Sequence, residues 1–269
     1  MEGYALITGA SRGFGKALAF ELASRKINLI LVSLPGEGLD TCCQELKDYG
    51  IRTHYFETDL SQKENIVAMT QWVNQQFDVF ILINNVGMGG TMEFTNSSVN
   101  YFDNLVQINI RTTVLITHQL LPNLRKQPRA YILNVSSIAS FSPIGYKTVY
   151  AAAKQFVYYF TVGLSHELQK SNVRVSVVHP GPMKTNDEIS LRIEKHGRLL
   201  KNGLITPEKM ARITIRKMFR GRRNIIVGWL NKLSWLALKI VPGPIRIPII
   251  TRAVKREIDA GTKHPELEI

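Results

Sequence analysis

The stretch Tyr4-Ala5-Leu6-Ile7-Thr8-Gly9-Ala10-Ser11-Arg12-Gly13-Phe14-Gly15 decides how the rest of the chain is read. Its first five residues form a short, nearly continuous apolar run, the pattern of a strand covered on both faces. Three glycines follow at Gly-x3-Gly-x-Gly spacing and lead into a helix-length segment over 14–25. Glycines let a backbone turn tightly and approach a pyrophosphate, and the helix N-terminus behind them favours its negative charge. Any strand-to-helix corner can use glycine. The place of this corner, on the first strand of a strand–helix–strand repeat, makes it a dinucleotide-binding candidate.

Working outward, further strands are predicted over 27–32, 52–56, 79–84, 130–135 and 173–178, with a short last one over 224–227. Helices are predicted over 62–77, 99–124 and 150–169 between them. This alternation specifies an α/β fold: a Rossmann-type, doubly wound parallel sheet of about seven strands with right-handed crossovers and helices on both faces. Residues 1–228 read as one dinucleotide-binding and catalytic domain that includes a lid over 186–205, and residues 229–269 as a basic amphipathic extension.

Composition agrees with a single large domain: 269 residues, 45% of them hydrophobic. Cys42 and Cys43 are adjacent, which is poor geometry for a bridge, and read as reduced thiols. The opening residues enter a strand at once, with no basic region before an apolar stretch, and no apolar run is long enough to span a bilayer. A cytoplasmic location is therefore expected. The net charge of +13 is uneven: residues 1–183 carry 15 Lys and Arg against 13 Asp and Glu, and residues 184–269 carry 19 against 8. Such asymmetry suits an anionic partner. Charge alone does not choose among a membrane, an acidic protein and nucleic acid; peripheral contact with a membrane's inner face is one expectation, and nucleic acid is not expected.

Tyr150-Ala151-Ala152-Ala153-Lys154 opens the last long helix, and its ends lie on one face, one turn apart. A free tyrosine, with a pKa of about 10, is a poor base at neutral pH. A neighbouring ammonium favours the phenolate, so the pairing has chemical sense.

Over about residues 3–186 the chain resembles the short-chain dehydrogenase/reductase family in its single-domain form. The resemblance rests on the glycine turn, on Asp59-Leu60 after the third strand, on Asn84-Asn85-Val86-Gly87 at the end of the fourth, on Pro180-Gly181 after the sixth, and on Thr185. It implies that Gly9, Ser11, Arg12, Gly13, Phe14 and Gly15 hold the pyrophosphate and adenosine. Ser33, Asp59, Leu60, Asn85, Gly87, Pro180, Gly181 and Thr185 would complete the cofactor site, with Asp59-Leu60 at the adenine ring and Thr185 at the nicotinamide carboxamide. It also implies that Tyr150 moves the proton and that Lys154 holds the nicotinamide ribose. Ser137, in Asn134-Val135-Ser136-Ser137, would bind the substrate oxygen, with Ser136 the alternative if the register slips. Asn109 would order a relay water. No metal is required.

The second strand ends Val32-Ser33-Leu34 without a carboxylate to bind a ribose hydroxyl or repel a 2′-phosphate, and Arg12 adds a cation in the glycine turn. NADP(H) is thus the preferred cofactor and NAD(H) the alternative, which Leu34 favours by standing where many NADPH enzymes have arginine. Met88, Phe141, Ile144 and Tyr146 are apolar or aromatic pocket candidates. They suit a small-molecule lipophilic carbonyl or alcohol substrate, steroid-like or a long-chain 3-keto lipid. His179 reads as a packed strand-end histidine.

In the extension, Lys232 and Lys239 share one helix face with Leu233, Leu236 and Ile240 largely opposite, and Pro242, Pro244 and Pro248 argue against one continuous helix. This segment is expected to pack on its own domain, on a partner subunit of a homodimer or homotetramer, or on a membrane surface. Competing functions are a 3-oxoacyl carrier-protein reductase and a non-catalytic dinucleotide-binding scaffold or sensor.

Overall fold

The structure is a computed structural model that describes residues 3–183 and 205–259. Seven strands form one parallel sheet in the order β3-β2-β1-β4-β5-β6-β7. They are β1 Tyr4–Thr8, β2 Asn28–Ser33, β3 Thr53–Glu57, β4 Val79–Asn84, β5 Ala130–Val135, β6 Val173–Val178 and β7 Asn224–Ile225. This is the predicted doubly wound architecture. The strand order reverses between β1 and β4, the crevice where open α/β sheets bind ligands.

Strand alternation divides the interior into two layers. Ala5, Ile7, Leu29 and Leu31 face one side, packed with helices α1 (Gly13–Ala23) and α2 (Leu39–Leu46) and with α7 (Pro207–Phe219) through Met210, Ile215 and Met218. Tyr4, Leu6, Ile30 and Val32 face the other, against α3 (Lys63–Gln76) and α5 (Thr112–Lys126) through Ile66, Met69, Ile116 and Leu120. Both faces are covered, which is why the strands read as apolar runs. Cys42 and Cys43 are buried, free thiols of α2.

The helix expected over 99–124 is interrupted. It comprises α4 (Val99–Val106), a π-helical turn at Gln107–Arg111, and α5. Such a turn adds a residue to the helix and redirects a side chain, often at a functional position. Here it turns Asn109 inward. The helix begun by the Tyr150 motif is α6 (Thr148–Glu167).

The extension forms two helices, α8 (Trp229–Ile240) and α9 (Gly243–Asp259). The chain breaks at Val241-Pro242, as the prolines require, yet Pro244 and Pro248 are accommodated inside α9. Pro244 stands in the first turn, where no N–H partner is needed; Pro248 forgoes one bond. Arg246 closes the corner, donating to the carbonyls of Leu238 and Val241 at 2.7 and 2.9 Å. The lysine arrangement also differs from expectation. At 3.6 residues per turn, Lys232 and Lys239 border the Trp229, Leu233, Leu236 and Ile240 stripe and do not oppose it. Asn231, on the far side, faces the domain. The lid expected over 186–205 lies, apart from Ile205, outside the described residues.

Candidate active site

The glycine turn is built by steric necessity. Gly9 and Gly13 have φ of 65° and 56°, the left-handed region that L-residues avoid. A Cβ at Gly15 would collide with the Gly9 carbonyl, so the first turn of α1 can sit this close only with glycine there. Asn85, after β4, staples the corner: its Nδ2 donates to the carbonyls of Thr8 and Gly9 at 3.0 and 2.9 Å. Its backbone N–H also donates to Thr8 Oγ1 at 3.0 Å. The Phe14 side chain goes into the core, leaving only its backbone at the turn.

At the ends of β4 and β5 the other candidates converge. The Ser136 hydroxyl is taken by the Lys154 carbonyl at 2.7 Å. Ser137, one residue on, begins a short 3-10 turn and forms a hydrogen bond with the Tyr150 phenol. Lys154, its side chain almost wholly buried, donates from Nζ to the Val135 carbonyl at 3.3 Å and lies 5.8 Å from the Tyr150 ring centroid. Asn109 donates from Nδ2 to the carbonyls of Met88 and Leu105 at 2.8 and 2.9 Å, and its buried Oδ1 has no partner.

Burial dominates the electrostatics. It pushes the Tyr150 phenol above its ordinary value, against the opposing hydrogen bond with Ser137. It also lowers the Lys154 ammonium to about 8. Both charged forms are penalised until an opposite charge or a donor shares the space. His179, fully buried after β6, is lowered by burial to about 4, against a backbone hydrogen bond to Ser137 that raises it. Its Nδ1 lies 3.2 Å from the Ser137 carbonyl and 3.0 Å from Ser140 Oγ. That contact anchors the backbone of Ser137, and the ring packs against Phe141 and Tyr158. Phe141 therefore belongs to the packing beneath α8. Tyr146, at φ 63°, lines a small cavity with Met92, Tyr101 and Tyr150.

The remaining candidates lie along the same sheet edge. Ser33 is buried and donates to the Leu34 carbonyl at 3.2 Å. Both Asp59 oxygens are engaged by Ser61, from its N–H at 2.8 Å and its hydroxyl at 2.7 Å, which fixes the turn carrying Leu60. The Pro180 carbonyl accepts from Ile138 N–H at 3.0 Å. Gly181 lies so close to Asn231 of α8 that a Cβ would collide with it. Thr185 is outside the described residues.

One charged neighbour went unseen in the sequence. The strand end holds no carboxylate, but Glu37, four residues beyond Ser33, reaches back to Ser11 and Arg12. Its signal was the loop Leu34-Pro35-Gly36-Glu37-Gly38, whose glycines mark a tight return.

The model of the short chain dehydrogenase family matches residues 3–195. A very-long-chain 3-oxoacyl-CoA reductase of Anas platyrhynchos is 32% identical over 188 residues, 66% of this chain. The match spans only 58% of that relative's length. An uncharacterized oxidoreductase of Staphylococcus epidermidis is 30% identical over 185 residues, covering 68% of this chain and 79% of the relative. A short-chain dehydrogenase from Sphingobium yanoikuyae in complex with NADPH superposes with a TM-score of 0.77 at 23% identity over 98% of each chain. A 7β-hydroxysteroid dehydrogenase superposes with a TM-score of 0.80 at 21% identity, over 94% of this chain and 96% of that one. These likenesses establish the common fold, and the extent of the family match establishes the membership. The chain belongs to the short-chain dehydrogenase family.

Proposed function

We propose that this protein interconverts a ketone and a secondary alcohol, using NADP(H) in preference to NAD(H) and working chiefly as a reductase of a lipophilic substrate. The observation that carries this reading is the convergence of the Ser137 hydroxyl, the Tyr150 phenol and the buried Lys154 ammonium at the ends of β4 and β5. The residues present fit a dinucleotide: Gly9 and Gly13, at positive φ, and Gly15, pressed against the Gly9 carbonyl, shape a tight strand-to-helix corner whose helix N-terminus suits a pyrophosphate. A nicotinamide dinucleotide, when bound, supplies or accepts the hydride. Gly9 to Gly15 would hold its pyrophosphate, Asp59 and Leu60 its adenine side, and Pro180 and Gly181 its nicotinamide side.

In this reading Ser137 and Tyr150 hold the carbonyl oxygen, and the Ser137 hydroxyl stabilises the developing negative charge. Tyr150 donates the proton from its phenolic oxygen. Lys154, positively charged close by, steadies the phenolate left behind, and the unpartnered Asn109 Oδ1 accepts from the water that returns the proton. Alcohol oxidation reverses each role.

A long-chain 3-keto lipid or a steroid-like ketone suits the apolar residues about Tyr146. The names of the avian reductase and the hydroxysteroid dehydrogenase support those two classes. The test is an NADPH-oxidation screen across ketosteroids, 3-oxoacyl thioesters and carrier-protein thioesters, with Tyr150→Phe as control. The variant should lose activity about 100-fold or more while binding cofactor normally. Turnover by Tyr150→Phe at the normal rate, or no ketone reduced by the native protein, overturns the reading. A preference for the carrier-protein thioester would identify the carrier-protein reductase instead.

The extension supports a peripheral membrane contact. Among the described residues no helix is long and apolar enough to cross a bilayer. Trp229, Leu233, Leu236, Ile240, Ile245 and Ile249 are nonetheless exposed on the outer side of α8 and α9. From 229 to 256 the chain has six Lys and Arg and no Asp or Glu. A second copy would bring like charge against that face, whereas an anionic lipid surface complements it. Self-association in a homodimer or homotetramer is assigned to exposed Phe156 and Tyr159 on α6.

A further inference from the structure

The Glu37 carboxylate bridges two successive residues of the glycine turn. Its Oε2 accepts from Ser11 Oγ at 2.7 Å, and its Oε1 lies 3.0 Å from Arg12 Nη2. The carboxylate is the packed partner of this pair: the Glu37 side chain is 21% exposed and that of Arg12 is 77% exposed. A hydroxyl and a guanidinium held on the two oxygens of one carboxylate form an anion site that the chain fills for itself.

The loop that carries Glu37 is made to turn. Gly36 and Gly38, on either side, have φ of 75° and 76°. Gly36 N–H donates to Glu57 Oε1 at 3.3 Å, which ties the loop to the end of β3. Nothing lies within 4 Å of a Cβ built on either glycine, so there is open space at both flanks of Glu37. Glu37 thus sits on a permissive tether with room to leave.

We propose that Glu37 is an intrachain latch on the adenosine end of the cofactor site. It occupies the Ser11 and Arg12 cradle in the free protein and must withdraw before a 2′-phosphate can take its place. The proposal rests on the dinucleotide reading given above. Ser11 and Arg12 cannot serve a carboxylate and a phosphate at once, because two anions sharing one cation repel. The apparent affinity for a 2′-phosphorylated cofactor is then reduced by the fraction of molecules whose latch is closed. A cofactor with a bare ribose needs no such opening, so the latch narrows the protein's preference between the two dinucleotides.

The test compares the full chain with Glu37→Gln by titration with NADPH, NADH, adenosine 2′-monophosphate and adenosine 5′-monophosphate, followed by fluorescence or calorimetry. Glu37→Gln keeps the size of the side chain and removes the charge that holds Arg12. NADPH and the 2′-monophosphate should bind about three- to tenfold more tightly to the variant, with NADH and the 5′-monophosphate within about twofold. Adding Arg12→Ala to Glu37→Gln should abolish the gain. Unchanged NADPH affinity in a variant that still binds the cofactor overturns the latch and leaves the dinucleotide reading standing. NADH binding weakened by about fivefold or more also overturns it, because Glu37 would then be a ribose acceptor. Failure of both proteins to bind either dinucleotide overturns the latch and the dinucleotide reading together.

Discussion

Lys154 and Asn109 converge on Gly87: a Cβ built on that glycine would lie 2.9 Å from Lys154 Nζ and 3.0 Å from Asn109 Oδ1. The ammonium comes from α6 and the amide oxygen from the π-turn, so two elements distant in sequence share one small space at the end of β4. Gly87→Ala should displace one or both. The expected result is a fall in kcat of about 10- to 100-fold, the scale of an ångström-sized misplacement, with little change in melting temperature. Steady-state kinetics beside a thermal melt check it. An unaltered kcat would detach this convergence from catalysis.

Lys154 is held at a cost to the fold. Burial lowers it from 10.5 to about 8, so between those values the unfolded chain binds more protons and stability rises with pH. Below pH 8 the buried ammonium carries its full penalty, about 3 kcal/mol at about 1.4 kcal/mol per pKa unit. Lys154→Met should therefore be inactive yet more stable at pH 7, by about 1–3 kcal/mol, with the gain fading as pH rises to 10.5. Urea unfolding at pH 7 and near 10 measures it. A variant less stable at pH 7 would refute the assignment.

His179 gives a dependence of the same origin in the acid range. It is neutral in the folded protein, lowered from 6.5 to about 4, while the unfolded chain protonates near 6.5. Its contribution is complete above pH 6.5 and is lost as pH falls towards 4, by up to about 3 kcal/mol. His179→Asn, with an amide to reach the Ser137 carbonyl, should flatten that part of the stability profile. Unfolding measured from pH 7 down to 4 decides, and a profile as steep as the native one would assign the slope elsewhere.

The membrane reading yields a charge-dependent prediction. The full chain should sediment with vesicles containing about one-third anionic lipid, and far less with neutral ones. Lys232→Glu with Lys239→Glu should weaken the association about tenfold or more. Leu236→Ser with Ile240→Ser should weaken it at any salt concentration. If either pair binds like the native chain, the outer face of α8 is not the contact. If Leu236→Ser with Ile240→Ser instead dissociates an oligomer, that face joins subunits.

Much of this architecture was legible because its signals are local. The apolar runs that became β1, β4, β5 and β6 are dictated by burial on both faces, and their parallel order by the helices between them. The break in the extension was legible from Pro242, whereas its continuation through Pro248 was not. A helix tolerates one missing bond when its other face packs, as α9 does through Val254 and the hydrogen bond between Gly145 N–H and Thr251. The long helix over 99–124 looked regular because a π-turn has no compositional mark, and only the packing around Asn109 exposes it.

By itself the sequence determined the sheet, the glycine corner and the one-turn spacing of Tyr150 and Lys154, since strand and helix periods set the positions of near neighbours. Tertiary structure alone decided that Glu37 closes on Arg12, that His179 steadies Ser137, that Lys154 and Asn109 meet at Gly87, and that the apolar side of α8 faces outward. Each of these joins elements whose distance in space is unrelated to their separation along the chain. Their chemistry depends on burial and charge that packing creates.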